Sequence, residues 1–197
     1  MSSIKLILAS ASPRRKMLLG AAGVSFEIVE SRIDEVRDDG ENATDFALRM
    51  AREKALSVSV RFPDAIVLAA DTIVECAGQI LGKPADAAAA RAMLRTLSGN
   101  THTVVTAFAI ARAGAVAESM PVMSRVTFRA LSPEEIAAYV ATGEPLDKAG
   151  AYGIQDAGAG FILQVEGARD NVMGLPLSEV LAALRRHGIA PTREGLS

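Results

Sequence analysis

From Ile66 to Val74 the chain reads Ile-Val-Leu-Ala-Ala-Asp-Thr-Ile-Val, an apolar, β-prone run with a single carboxylate inside it. A run of this kind calls for a buried strand. An ionised carboxylate taken out of water there must be paired, hydrogen-bonded or bound to a metal. Glu75 and Gln79 follow in a Gly-containing turn, and Leu81-Gly82-Lys83-Pro84 sets a lysine on the next turn. Taken alone, the stretch suits a structural ion pair as well as it suits a reacting acid.

Composition narrows the chemistry. At 197 residues, half of them hydrophobic, the chain can bury a sizeable core as one domain or as one domain with two lobes. Aromatic residues make up 4%, so Ala, Val, Leu and Ile must fill that core. The formal net charge of -2, with both signs interspersed, argues against a general nucleic-acid-binding surface but leaves room for a local basic pocket. Cys76 is the single cysteine, which excludes a disulfide framework or a Cys-based zinc site within one chain. With His102 and His187 the only histidines, a His-rich metal site or a Ser-His-Asp triad is a poor fit. The apolar stretch within residues 1–11 is too short for a signal peptide, and the basic pair Arg14-Arg15 follows it instead of preceding it. No stretch approaches the length of a membrane span. A soluble, cytoplasmic protein is expected.

In chain order, Ile4 to Ala9 reads as a short strand buried on both faces. Ser12 is a good N-cap and Pro13 suits the first helical position, so a helix is expected to run to about Ala22 and stop at Gly23. A strand, a tight turn and a helix N-terminus form a natural anion site, and Arg14 and Arg15 add fork-shaped donors. Those two arginines point roughly 100° apart around the helix and serve different ends. Val24 to Val29 reads as the second strand, and Ser31 to Asn42, with Asp34-Glu35, as a polar loop. Thr44 can cap a helix from Asp45 to about Val60, with Ala47, Ala51, Ala55 and Val58 on one stripe and Lys54 at its edge.

Asp86 caps a helix from Ala87 to about Leu97. Thr101 to Ala111 and Val116 to Phe128 look like long strands joined across Arg112-Ala113-Gly114, with His102 a structural residue. Ser132-Pro133-Glu134-Glu135 is a strong helix start, and that helix ends near Gly143. Glu144 to Gly160 is the least regular segment, its glycine density suiting a loop in close contact with something. Phe161 to Val165 reads as a strand, and Gly174-Leu175-Pro176-Leu177-Ser178 leads into a last helix through about Arg186. Residues 188–197 read as a frayed tail. There is no internal repeat and no interdomain linker.

Seven of these stretches together resemble the Maf family of nucleotide pyrophosphatases, in its dTTP/UTP branch. They are Leu8 to Arg15, Ala51-Arg52-Glu53-Lys54-Ala55, Ala69-Ala70-Asp71-Thr72, Gly82-Lys83-Pro84, Leu97-Ser98-Gly99, Asp147 to Gln155 and Gly174-Leu175-Pro176-Leu177. They occur in the family's order between about residues 5 and 187. The resemblance implies hydrolysis of a nucleoside triphosphate to the monophosphate and pyrophosphate, with Mg²⁺ or, alternatively, Mn²⁺. It implies an α/β fold: an elongated mixed sheet with flanking helices, two lobes around a central cleft, similar to the inosine triphosphate pyrophosphatases. It further implies a homodimer, with neither nucleic acid nor membrane as a partner.

By the same resemblance Asp71 matches the catalytic acid, as proton acceptor for the attacking water or as a metal ligand, and Glu35 is the second metal contact. Ser10, Arg15, Lys54 and Lys83 are the expected phosphate contacts. Arg14, Thr72 and Gln155 resemble the pyrimidine branch, whereas the 7-methyl-GTP branch carries an aromatic, Gln and Glu there. A Gln carboxamide offers a donor and an acceptor, as the imide edge of uracil or thymine requires. Asp156 departs from the family's usual Gly, and Arg169-Asp170-Asn171 stands where pyrimidine-branch members often carry a Tyr pair. The alternatives are a 7-methyl-GTP pyrophosphatase and a nucleotide-binding regulator of septum formation.

Overall fold

The structure is a computed structural model, and it describes residues 4–191. In chain order the elements are β1 (Leu6–Leu8), α1 (Pro13–Ala21), β2 (Glu27–Ile28), α2 (Ala43–Ser59), β3 (Ile66–Cys76), β4 (Gln79–Leu81), α3 (Ala87–Leu97), β5 (Thr101–Arg112), β6 (Ala115–Phe128), α4 (Pro133–Ala141), β7 (Ile162–Glu166), α5 (Arg169–Met173) and α6 (Leu177–Arg186). Three short 3-10 turns fill Glu144–Asp147, Ala149–Ala151 and Ala157–Phe161. The strands form one seven-stranded sheet in the order β2-β1-β3-β5-β6-β7, with β4 paired to β3. The sheet is mixed: β1 runs parallel to β2 and β3, while β3-β4 and β6-β7 are antiparallel. This is the mixed α/β arrangement with helices that the family resemblance implies.

The chain divides into two compact units: one of residues up to Asp71, Thr106–Val122 and from Gly174 on, the other of Thr72–Val105 and Met123–Met173. Three of the four divisions fall inside β3, β5 and β6 and the fourth follows α5 directly, which explains why no linker composition marks them. In the first unit the apolar stripe of α2 (Ala47, Met50, Ala51, Ala55, Val58) is wholly buried, as are Ile7, Leu8, Leu19, Ile66 and Leu68. Burying one such Leu or Ile side chain contributes about 1.5–3 kcal/mol. In the second unit Val74, Leu81, Leu94, Leu97, Val126, Ile136, Tyr139 and Tyr152 form one cluster. His102 is buried there, bonded through Nε2 to the Tyr152 hydroxyl at 2.8 Å and edge-on to Phe128, the structural placement expected of it.

Most helix boundaries follow their local signals. Ser12 caps α1 with Pro13 at its first position, Asp86 caps α3 through Ala89 N at 2.7 Å, and Ser132 with Glu135 forms a capping box on α4. Four points differ. The cap of α2 is Asn42, not Thr44: its Oδ1 accepts from Asp45 N at 2.9 Å, so the helix starts two residues earlier. Gln79 belongs to a strand, β4, because Ala77 and Gly78 both take positive φ (51° and 75°) and close a two-residue hairpin. Arg169 to Met173 is a five-residue helix. At the C-terminus, Gly188 and Ile189 are tied down: their amides donate to Arg185 O and Leu184 O, and Ile189 is buried. The expected fraying from Gly188 therefore fails for those residues, and positions 192–197 lie outside the described residues. Among the described residues no helix is long and apolar enough to cross a membrane.

Candidate active site

In the first unit, β1 pairs with β3 in parallel register, Leu8 opposite Leu68. Ala9 N donates to Leu68 O at 2.8 Å before the chain turns into Ser10-Ala11-Ser12 and α1. Asp71 lies three residues past Leu68, so roughly 10 Å further along β3 at strand rise. The carboxyl end of β1, the N-terminus of α1 and a buried acid on the adjacent strand thus belong to one region. Ligands of parallel α/β sheets bind at strand ends of this kind.

Asp71 is 5% exposed and its partner comes from α2. Lys54 Nζ lies 2.5 Å from Asp71 Oδ1 and 2.5 Å from Glu35 Oε1. Lys54 is thus buried, beyond the stripe-edge position read from the helical period, because its ammonium balances an acid the strand has taken inside. Two carboxylates from distant positions converge on one cation. Glu35 is far more open, its side chain 44% exposed against 7% for Asp71.

Ser10 is buried, and its Oγ accepts from Ser12 N and from Arg15 Nη1, both at 3.2 Å. Arg15 Nε donates to the Gly174 carbonyl at 2.8 Å, which fixes the guanidinium beside the turn. Burial and the Arg14 charge pull the Arg15 guanidinium below its ordinary value, and the negative charges of Asp71 and Glu35 oppose that shift. An arginine remains a cation through such a shift. Arg14 is half-buried on the same first turn.

Thr72, Lys83 and Gln155 belong to the second unit. Thr72 follows Asp71 on β3, so the two side chains take opposite faces. Lys83 is exposed just after β4, and Gln155 is exposed on a bend between two 3-10 turns. Their loops are joined: Gly150 N donates to Gly82 O at 3.1 Å. The approach is close enough that a Cβ on Gly150, at φ +70°, would stand 3.1 Å from Val74. Around Gln155, Tyr139 donates to Glu144 Oε1 at 2.6 Å and accepts from Gly153 N at 3.1 Å, while the buried Lys148 donates to Glu144 O at 2.7 Å and to Asp147 Oδ1 at 2.8 Å. Tyr139, Glu144 and Lys148 were not singled out from the sequence; the signal available was a lysine and a glutamate in a glycine-dense loop.

Among the described residues no group of three or more His, Cys, Asp and Glu side chains stands ready for a metal. Asp71 and Glu35 nevertheless fit a hard divalent cation, since their oxygens already converge on the Lys54 ammonium. Mg²⁺ is commonly held by one or two carboxylates plus substrate phosphates, without an all-protein cage.

Several known proteins are similar to this chain. A solved nucleoside-triphosphatase / dITP/XTP pyrophosphatase from Mycobacterium abscessus is 18% identical, with 71% of this chain and 95% of that chain covered and a TM-score of 0.40. A HAM1 protein from Coxiella burnetii is 14% identical, covering 64% and 73%, with a TM-score of 0.43. Among curated relatives, the dTTP/UTP pyrophosphatase of Geobacter sulfurreducens is 49% identical over 187 residues, 93% of this chain and 97% of that protein. The dTTP/UTP pyrophosphatase of Myxococcus xanthus is 51% identical over 184 residues, 93% of each. The family described as Maf-like protein matches residues 5–187. The chain therefore belongs to the Maf family.

Proposed function

We propose that this chain hydrolyses dTTP and UTP to the nucleoside monophosphate and pyrophosphate, in the cytoplasm, as a homodimer, without nucleic acid as a partner. The observation that carries the reading is the convergence of Asp71 and Glu35 on Lys54, in the unit that also holds the Ser10–Arg15 turn. Relatives about half identical along nearly the whole chain bear the dTTP/UTP pyrophosphatase name.

In this reading water attacks the α-phosphorus. An oxygen–phosphorus bond forms there, the bond from the α-phosphorus to the bridging oxygen of the β-phosphate breaks, and pyrophosphate leaves. Asp71 accepts the proton of the water. Arg15, Lys54 and Lys83 neutralise the polyphosphate, with Ser10 a further phosphate contact from the first loop and Arg14 grouped with Thr72 and Gln155 in the substrate-specificity set. Asp71 and Glu35 would hold a divalent cation, Mg²⁺ or Mn²⁺, which when bound supplies charge neutralisation at the phosphates. Gln155 presents the donor and acceptor that a pyrimidine imide edge requires, with Thr72 beside it in the specificity set.

The test is pyrophosphate release from UTP, dTTP, CTP, GTP and 7-methyl-GTP. Release confined to UTP and dTTP is expected, with a loss of about 10²–10⁴-fold in kcat for Asp71→Asn, the range of a lost general base. Release mainly from 7-methyl-GTP would overturn the base assignment. Binding without any release would overturn the hydrolase reading.

A further inference from the structure

Residues 29–42, between β2 and α2, form neither helix nor strand. A connection of that length is uncommon in a compact unit and is usually functional. This one carries Glu35. Its own backbone bonds, Val36 N to Asp34 O and Glu41 N to Asp38 O, close only local turns.

Besides the Val29 N bond to Leu8 O at 3.2 Å and the Lys54–Glu35 ion pair, the loop is tied to α2 by Arg49, which also stands 3.5 Å from Asp38 Oδ2. Arg49 Nε donates to Glu41 Oε1 at 2.9 Å and its Nη2 to Glu41 Oε2 at 2.7 Å, a two-pronged grip on one carboxylate. The same Nη2 donates to the Val36 carbonyl at 2.9 Å, and Nη1 reaches Glu53 Oε1 at 3.3 Å. The guanidinium lies over the Phe46 ring, 5.5 Å from its centroid. Val36 is the residue after Glu35, and Lys54 follows Arg49 by five positions on the same helix. One rigid element therefore holds the Lys54 ammonium covalently and the neighbour of Glu35 through Arg49.

We infer that Arg49 is a positioning residue: by gripping Glu41 and the Val36 carbonyl it sets the Glu35 carboxylate where it meets the Lys54 ammonium beside Asp71. The inference rests on the reading of Glu35 as a metal contact. The grip requires a planar fork with several donors, which a lysine does not offer. The negative charge of Glu41 is likewise held by Arg49, whose hydrogen bond keeps the Glu41 carboxyl below its usual range.

The experiment compares Arg49→Met, Arg49→Lys, Glu35→Gln and the Arg49→Met/Glu35→Gln double variant with the unmodified full chain. Amide exchange over residues 34–42 is expected to quicken by at least about tenfold in both Arg49 variants, with α2 beyond Lys54 unchanged. Mn²⁺ added alone, followed by calorimetry, should bind several-fold more weakly. With dTTP, kcat should fall by at least about tenfold at nearly constant KM, and the double variant should be no slower than Glu35→Gln within about twofold. Unchanged exchange, or losses that multiply in the double variant, would overturn the inference. The two readings fail differently: quickened exchange beside a fully active Glu35→Gln faults the role of Glu35, and with it any catalytic consequence of Arg49. Unchanged exchange beside an impaired Glu35→Gln faults Arg49 alone.

Discussion

Replacing Lys54 by Met keeps the length of the side chain and removes the cation from between two acids. The Lys54 and Asp71 side chains are each 7% exposed and their charged atoms stand 2.5 Å apart. Removing one partner of a buried pair leaves an uncompensated charge and costs about 3–5 kcal/mol. The Glu35 contact adds little to that figure, because a carboxylate 44% exposed is compensated by solvent. For a chain of this size each kcal/mol moves the melting temperature by about 2–4 °C, so Lys54→Met should melt roughly 6–20 °C lower. The assay is thermal unfolding followed by circular dichroism at neutral pH with chelator present. Lys54→Met/Asp71→Val, which removes both charges and places a β-branched residue in the strand, should recover most of the loss. Millimolar Mg²⁺ should raise the melting temperature of Lys54→Met more than that of the parent, since a cation then replaces the missing ammonium. A loss under about 1 kcal/mol for the single variant, or a double variant no more stable than the single, would refute the argument that burial makes this pair interdependent.

Three further outcomes follow from the second unit. Burial pushes His102 down from 6.5 to about 4, so the unfolded chain binds a proton that the folded chain refuses. Its contribution, about 3 kcal/mol, is whole above the ordinary histidine range and is lost as pH falls toward the folded value. His102→Gln should flatten the stability profile over that window, and an unchanged slope in chemical denaturation would exclude His102 as its source. A Cβ on Gly158 would come within 2.7 Å of the Gly153 carbonyl, two residues before Gln155, whereas one on Gly160 meets nothing within 4 Å. Gly158→Ala should therefore raise KM for dTTP several-fold while Gly160→Ala stays near the parent, as steady-state kinetics would show. Gln155→Glu should depress UTP turnover by about tenfold or more, since a carboxylate has no donor for the imide carbonyl; an identical substrate profile would remove Gln155 as the base reader.

What could be read from residues alone was governed by neighbours within a turn. Ser12-Pro13, Asp86 and the Ser132–Glu135 box mark helix starts because an N-cap hydroxyl or carboxylate bonds an amide three residues on. The competition at α2 shows the limit: Asn42 and Thr44 are both competent caps, and the carboxamide two residues earlier took the Asp45 amide. β4 leaves no mark in the sequence because three residues carry too little periodicity, and its pairing depends on a two-residue turn with positive φ at Ala77, an unusual conformation for alanine.

The sequence by itself determined that the run around Asp71 would be buried, that its carboxylate would need a partner, and that a helix would begin at Pro13 behind a turn rich in donors. These follow from transfer free energies and capping chemistry, which act locally. Only the tertiary structure decided which partner Asp71 has. Lys54 stands 17 residues away on another element and Glu35 a further 19 from Lys54. It also decided that Arg49, an ordinary helical arginine by pattern, grips the loop that bears Glu35. Such pairings arise when packed elements bring side chains within Coulomb and hydrogen-bond range, and no periodicity along the chain encodes that distance.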